Sequence, residues 1–207
     1  MSSGRRRNSR AENPISAELA RPIRLVVFDV DGVLTDGGVY VGGSTGDEGR
    51  SSVPYVEFKR FSIQDGFGMK MLMWAGIEVA AVSGRVSEAT ALRMAELGVA
   101  ECHQIEGAYK VPVVAELLER KGLRWAEVAM LADDLPDMAV FERVGLRAAV
   151  RNAVPQISRL AHWRSKLEGG HGAAREFTDA LLTAQGTLDS VADAYVAARS
   201  GSHLAGN

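Results

Sequence analysis

The chain has 207 residues, 46% of them hydrophobic, enough to bury one substantial core with a small extension. Its 24 lysines and arginines stand against 26 aspartates and glutamates, which leaves no basic surplus for a nucleic-acid surface. No apolar run approaches the ~18 residues a membrane span needs, and a lone cysteine, Cys102, excludes both an internal disulfide and a thiolate metal cluster.

Residues 1–21 carry Arg5, Arg6 and Arg7 among Ser and Asn, and read as a solvated, disordered tail rather than a nucleic-acid arm. No apolar stretch follows the positive charge before Ile23, so no secretory signal is expected. With a single cysteine this predicts a soluble, cytoplasmic protein. Residues 22–186 should form one domain, and residues 187–207 a C-terminal helix and tail.

From Ile23 onward short apolar runs alternate with amphipathic stretches. Leu25–Phe28, Val79–Val82, Val128–Leu131 and Ala148–Val150 are unbroken apolar runs, as strands covered on both faces require. Helices are predicted over Ser87–Leu97, Val113–Arg120, Leu135–Val144 and Glu176–Ala184, several ending at glycine. Alternating strands and helices indicate an α/β fold with a largely parallel sheet. Residues 37–61 break the rhythm. Two β-rich pieces, Val39–Val41 and Tyr55–Phe58, flank a polar, glycine-rich stretch, which predicts a β-hairpin with a long tip inserted after the first strand.

Acidic residues gather where strands end. Asp29 and Asp31 close the first apolar run, and alternation on a strand would aim both at one site. Asp133 and Asp137 follow the Val128 run, while Ser83 and Lys110 follow other strand-like segments. Ligands collect at the carboxyl edge of such sheets. An Asp-x-Asp-Gly alone is ordinary turn chemistry, and a lone lysine is ordinarily solvated. Their common placement at strand ends is what raises them. A cluster of carboxylates needs a counter-charge, and a hard cation with oxygen ligands, Mg²⁺ rather than Ca²⁺, suits a site with few protein ligands.

The stretch DVDGVLTDG (29–37), Ser83 in VSGR, Lys110, and ADDLPD (132–137) resemble, in order and spacing, the four signatures of the haloacid dehalogenase superfamily. FSIQDGFGMKML (61–72), AVSGRVSEATALRMAELGV (81–99) and GGHGAAREFTDALLTAQG (169–186) narrow the resemblance to its capless, tetrameric branch of keto-deoxy sugar phosphate phosphatases. The resemblance implies a Rossmann-like parallel sheet with helices on both faces and no cap domain. It implies Asp29 as nucleophile and metal ligand, and Asp31 as general acid/base offering the metal its backbone carbonyl. Asp133 would be the further Mg²⁺ ligand, Asp137 its support, and Ser83 and Lys110 the phosphoryl anchors. Gly84, Arg85 and Arg175 would contact the substrate, and hairpins and C-terminal tails of neighbouring subunits would close the site in a homotetramer. Water would be the acceptor in hydrolysis of a 3-deoxy-D-manno-octulosonate 8-phosphate or a nine-carbon relative.

Several positions depart from the family pattern. Ala132 stands where glycine is usual, His103-Gln-Ile-Glu-Gly107 does not align with a usual Gln-Gly pair, His171 replaces a common arginine, and the hairpin tip is long. Three rival readings remain at this level: a phosphomutase or other sugar phosphatase, a non-catalytic tetramerising module, and a phospho-accepting receiver. The full set Asp29, Asp31, Ser83, Lys110 and Asp133 weighs against the second. Asp31 and the Ser83-Gly84-Arg85 element weigh against the third.

Overall fold

The structure is a computed structural model describing residues 13–43 and 56–200. Its elements in chain order begin with α1 (Ala17–Ala20), β1 (Leu25–Phe28), β2 (Tyr40–Gly42), β3 (Val56–Phe58) and α2 (Ile63–Trp74). They continue with β4 (Glu78–Ser83), α3 (Glu88–Leu97), β5 (Glu101–Gln104), α4 (Lys110–Lys121), β6 (Val128–Ala132) and α5 (Met138–Phe141). The last are β7 (Leu146–Ala149), α6 (Pro155–Leu160), β8 (Trp163–Arg164), α7 (Ala173–Gln185) and α8 (Leu188–Ser200).

Six strands form one parallel sheet in the order β5-β4-β1-β6-β7-β8. The central strands are apolar throughout because both faces are covered, and their side chains alternate between two cores. Val26 and Phe28 of β1 face α2 and α7, where they meet Met69, Leu72, Phe177 and Leu181. Leu25 and Val27 face the opposite layer, with Val114, Leu117 and Phe141 from α4 and α5. Burying each such side chain contributes ~1.5–3 kcal/mol. β1 lies between β4 and β6, so the ends of all three strands open on one edge.

The α/β expectation holds, with local differences. Order begins before Ile23. Asn13 accepts a bond from Trp163 Nε1 at 2.9 Å through its carbonyl, and Ile15 and Ala20 are buried, so residues 13–21 pack on the core through these side chains although most of the segment is exposed. The rest of that predicted tail, with Arg5 to Arg7, lies outside the described residues. Helix α4 starts at Lys110 rather than Val113. The Leu135–Val144 helix is reduced to a 3-10 turn, Leu135–Asp137, followed by the short α5. Helix α2 was not expected from the sequence. Its two glycines and its apolar residues on several sides hide the helical period, because it is buried between the sheet, α3 and α7. A side chain at Gly68 would lie 3.1 Å from the Arg175 Cα, so glycine lets α2 and α7 approach.

The hairpin is present as β2 paired antiparallel to β3, with Tyr40 opposite Phe58 and Val41 opposite Glu57. Its tip and Tyr55 fall outside the described residues. Val39, Tyr40, Val41, Val56 and Phe58 are all exposed in the single chain.

Candidate active site

Asp29 directly follows β1, and Asp31 sits two residues on in a tight turn rather than on the strand. The turn is built by hydrogen bonds to one carbonyl: the amides of Leu34 and Thr35 both donate to the Val30 oxygen at 3.0 Å. The buried Thr35 hydroxyl donates to the same oxygen at 3.2 Å and accepts from the Gly32 amide at 3.3 Å. Gly32 has φ of 90°, and a Cβ there would lie 2.1 Å from Asp133 Oδ2. Glycine is therefore required twice, by backbone conformation and by the neighbouring carboxylate.

Lys110, the first residue of α4, is 3% exposed. Its Nζ donates to Asp29 Oδ1 at 2.5 Å and to Asp137 Oδ1 at 2.6 Å. Carboxylate oxygens of Asp29, Asp133 and Asp137 lie within 4.8 Å of one another. Three carboxyls therefore share a single ammonium. Burial raises Asp29 above its ordinary value against the pull of Lys110. Burial, then the charges of Asp29 and Asp137, push Asp133 up to about 8. Burial and Asp29 push Asp137 up to about 7. Burial draws Lys110 down, but Asp29 and Asp137 together outweigh it and hold the ammonium above its usual range. Such a cluster, all oxygen and short of positive charge, fits a hard divalent cation. Lys110 occupies Oδ1 of both Asp29 and Asp137, which leaves their second oxygens and the carboxylate of Asp133 to hold one.

The raised carboxyls make metal-free stability depend on pH. Their folded pKa values exceed the unfolded value of 3.8, so the folded chain binds more protons between about pH 4 and pH 8. That stability is present at low pH and is lost as pH rises through about 7 to 8. In EDTA, the melting temperature should fall between about pH 5 and pH 8. The gain on adding Mg²⁺ should be largest at the upper end. A Mg²⁺ gain that shrinks as pH rises would contradict this assignment.

A cleft of about 240 Å³ opens beside the cluster, lined by Asp29, Asp31, Arg85, Lys110 and Asp133 among others. Gly84 also lines it, whereas Ser83 lies buried behind, its Oγ 3.3 Å from Asp31 Oδ2 and bonded to the Arg85 backbone. The Arg85 guanidinium, half-exposed at the mouth, is held by Glu57 at 2.9 Å. Sequence reasoning missed two contributors, Glu57 and Lys59. Both come from the hairpin, and Lys59 Nζ sits 2.7 Å from Asp31 Oδ1. A signal existed: Glu57 and Lys59 alternate with the apolar Val56 and Phe58, so one face of the strand carries charges inward.

Arg175 is not brought to this cleft within the chain. It lies in the first turn of α7, with its Nε on Asp179 at 2.9 Å and its guanidinium over the Phe67 ring. Helix α7 is core, since Ala173, Ala174, Phe177, Leu181 and Leu182 are buried, and Asp65 of α2 accepts from the amides of Gly172 and Arg175. The preceding loop instead braces the Asp29–Gly37 turn. The Gly170 amide donates to the Val33 carbonyl at 2.9 Å, and a Cβ at Gly169 would overlap the Gly32 carbonyl. His171 bridges the Gly169 carbonyl and Arg60. Ala132 is buried at the end of β6 with negative φ, so alanine is accommodated there. Ala108 is the one non-glycine residue with positive φ among the described residues, at 58°, and it lines the cleft beside Gly84, where a Cβ would lie 2.9 Å from the Ala108 Cβ.

A parallel sheet with aspartates after β1, a hydroxyl on the last residue of β4, a lysine opening α4 and aspartates after β6 defines a hydrolase of the haloacid dehalogenase class. No protein-family model matches the chain. A solved structure of a HAD superfamily (subfamily III A) hydrolase from Legionella pneumophila superposes with TM-score 0.78 at 36% identity, covering 87% of this chain and 93% of that one. The 3-deoxy-D-manno-octulosonate 8-phosphate phosphatase KdsC of Escherichia coli (strain K12) is 38% identical over 179 residues, 85% of this chain and 89% of the relative. The phosphatase of that name from Moraxella catarrhalis, solved with magnesium, phosphate and KDO, superposes with TM-score 0.76 at 30% identity, covering 86% and 97%. The chain belongs to the 3-deoxy-D-manno-octulosonate 8-phosphate phosphatase family of the haloacid dehalogenase superfamily.

Proposed function

We propose that the chain is a Mg²⁺-dependent phosphatase that hydrolyses 3-deoxy-D-manno-octulosonate 8-phosphate, or a closely related keto-deoxy sugar phosphate, to the sugar and inorganic phosphate. The observation that carries this reading is the convergence of Asp29, Asp31, Lys110 and Asp133 on one cleft. The relatives named above support the substrate class.

In this reading Asp29 is the nucleophile that takes the phosphoryl group as an aspartyl-phosphate. Asp31 gives a proton to the departing sugar oxygen and later takes one from the attacking water. Lys110 neutralises both Asp29 and the incoming phosphate, and Asp137 holds the lysine in place. Gly84 shapes the phosphate end of the cleft with Ser83 behind it, and Arg85 faces the sugar, where a guanidinium can bind its carboxylate in bidentate fashion. Asp29, Asp133 and the Asp31 backbone carbonyl would hold Mg²⁺, which supplies charge neutralisation on the phosphate oxygens. The test is a panel of phosphorylated keto-deoxy sugars ranked by kcat/KM from phosphate release. Activity confined to other phosphate monoesters would refute the substrate assignment.

The reading includes a cytoplasmic homotetramer. Five exposed apolar residues on one short hairpin are unusual for a free surface, and a hairpin of this size is marginal by itself. Contact with a second copy would cover them, and would let a neighbour's Arg175 approach the opening. Light scattering after gel filtration should therefore report a tetramer. Phe58→Glu should shift it to smaller species, with KM for the sugar phosphate raised more than KM for p-nitrophenyl phosphate. A wild-type monomer with full sugar-phosphatase activity would end this part of the proposal.

A further inference from the structure

Lys59 stands at the end of an exposed hairpin strand, yet its side chain is only 1% exposed. Its Nζ donates to Asp31 Oδ1 at 2.7 Å and to Thr90 Oγ1 at 3.3 Å. The Arg85 guanidinium lies 3.8 Å from the same carboxylate oxygen. The other oxygen, Oδ2, has the Ser83 hydroxyl at 3.3 Å, and that hydroxyl is shared with the Arg85 carbonyl at 3.1 Å. The two Asp31 oxygens are thus unequal: one is bound by cations, the other is left to a hydroxyl. Lys59 is not among the residues that line the cleft, whereas the similarly buried Lys110 is. An ammonium buried against one carboxylate costs desolvation, and its consequence here is a fixed carboxylate orientation.

We propose that Lys59 is a positioning residue for Asp31, holding Oδ1 so that Oδ2 is the oxygen that exchanges the proton with the substrate. The inference rests on the phosphatase reading, in which Asp31 is the general acid. In the first step a new bond forms between an Asp29 carboxylate oxygen and phosphorus. The bond from phosphorus to the ester oxygen breaks, and its electron pair stays on that oxygen. The ester oxygen takes the proton from Asp31 Oδ2, and Asp31 is left as a carboxylate already paired with Lys59. The hairpin thereby does two jobs at once, since Glu57 on the same face holds Arg85.

The experiment measures kcat/KM for wild type, Lys59→Met and Lys59→Arg on 3-deoxy-D-manno-octulosonate 8-phosphate, phenyl phosphate and p-nitrophenyl phosphate with saturating Mg²⁺. Phenolate needs the proton as it departs, whereas p-nitrophenolate leaves readily without one. In Lys59→Met the ratio of phenyl to p-nitrophenyl phosphate should fall by about tenfold or more, and the sugar phosphate should lose roughly 10²-fold, the range of lost general-acid help. The ratio is independent of the fraction of protein that folds. Lys59→Arg, which keeps the cation, should restore the ratio to near wild type. Equal losses on the two aryl esters, no loss on either, or a ratio in Lys59→Arg as low as in Lys59→Met would overturn the inference. Absence of phosphate release from all three substrates by wild type would instead defeat the phosphatase reading itself, and the inference with it.

Discussion

Asp29→Asn should lower turnover on the order of 10⁴-fold or more, the usual cost of removing a nucleophile, while leaving the fold intact. The amide is nearly the size of the carboxylate but cannot form the acyl-phosphate. The structural argument for retained folding is specific. Asp29, Asp133 and Asp137 crowd within 4.8 Å, so replacing one charge relieves repulsion in the metal-free state, and Lys110 keeps its bond to Asp137. The variant should therefore melt at or above the wild-type temperature in EDTA. Circular dichroism and phosphate release on the same sample check both halves. Wild-type turnover by Asp29→Asn would rule out the covalent route.

Chelation is the second large effect. EDTA should reduce phosphate release to background, and Mg²⁺ should restore it, because Lys110 is already shared by Asp29 and Asp137 and cannot alone offset a dianionic substrate beside three carboxylates. Ca²⁺, which takes roughly six to eight oxygen ligands in loose geometry, should bind and compete without supporting turnover. Gly32→Ala gives the same result from the protein side. Its Cβ would fall 2.1 Å from Asp133 Oδ2, so that carboxylate must move and Mg²⁺ affinity measured by calorimetry should drop. Full activity in metal-free buffer would exclude this role for the cluster, whatever the behaviour of the glycine variant.

Much of the site was legible because its residues sit at the ends of apolar runs. Asp29 after Leu25–Phe28, Ser83 after Val79–Val82, and Asp133 after Val128–Leu131 are positioned by strands whose continuous apolar character reports burial on both faces. The sheet order then brings those three strand ends together, since β1 lies between β4 and β6. Edge strands were harder. β5 and β8 have one neighbour each, and Glu101-Cys-His-Gln104 and Trp163-Arg164 carry polar residues that solvent on the open edge permits.

The amino-acid sequence by itself determined the parallel α/β core, the hairpin insertion and the carboxylates that meet at the sheet's edge, because two-sided burial and motif order are local properties of the chain. Tertiary structure decided what each charge does. Lys59, outside every motif, is carried against Asp31 by the hairpin. Asp137 became the clamp on Lys110, and Arg175 went to the α2–α7 packing rather than to the cleft of its own chain. The physical reason is common to all three. A charged side chain's role depends on which neighbours lie within a few ångströms and how much water remains between them; the opposite charges on Lys59 and Lys110 come from 28 and 27 positions away, and the ring under Arg175 from 108.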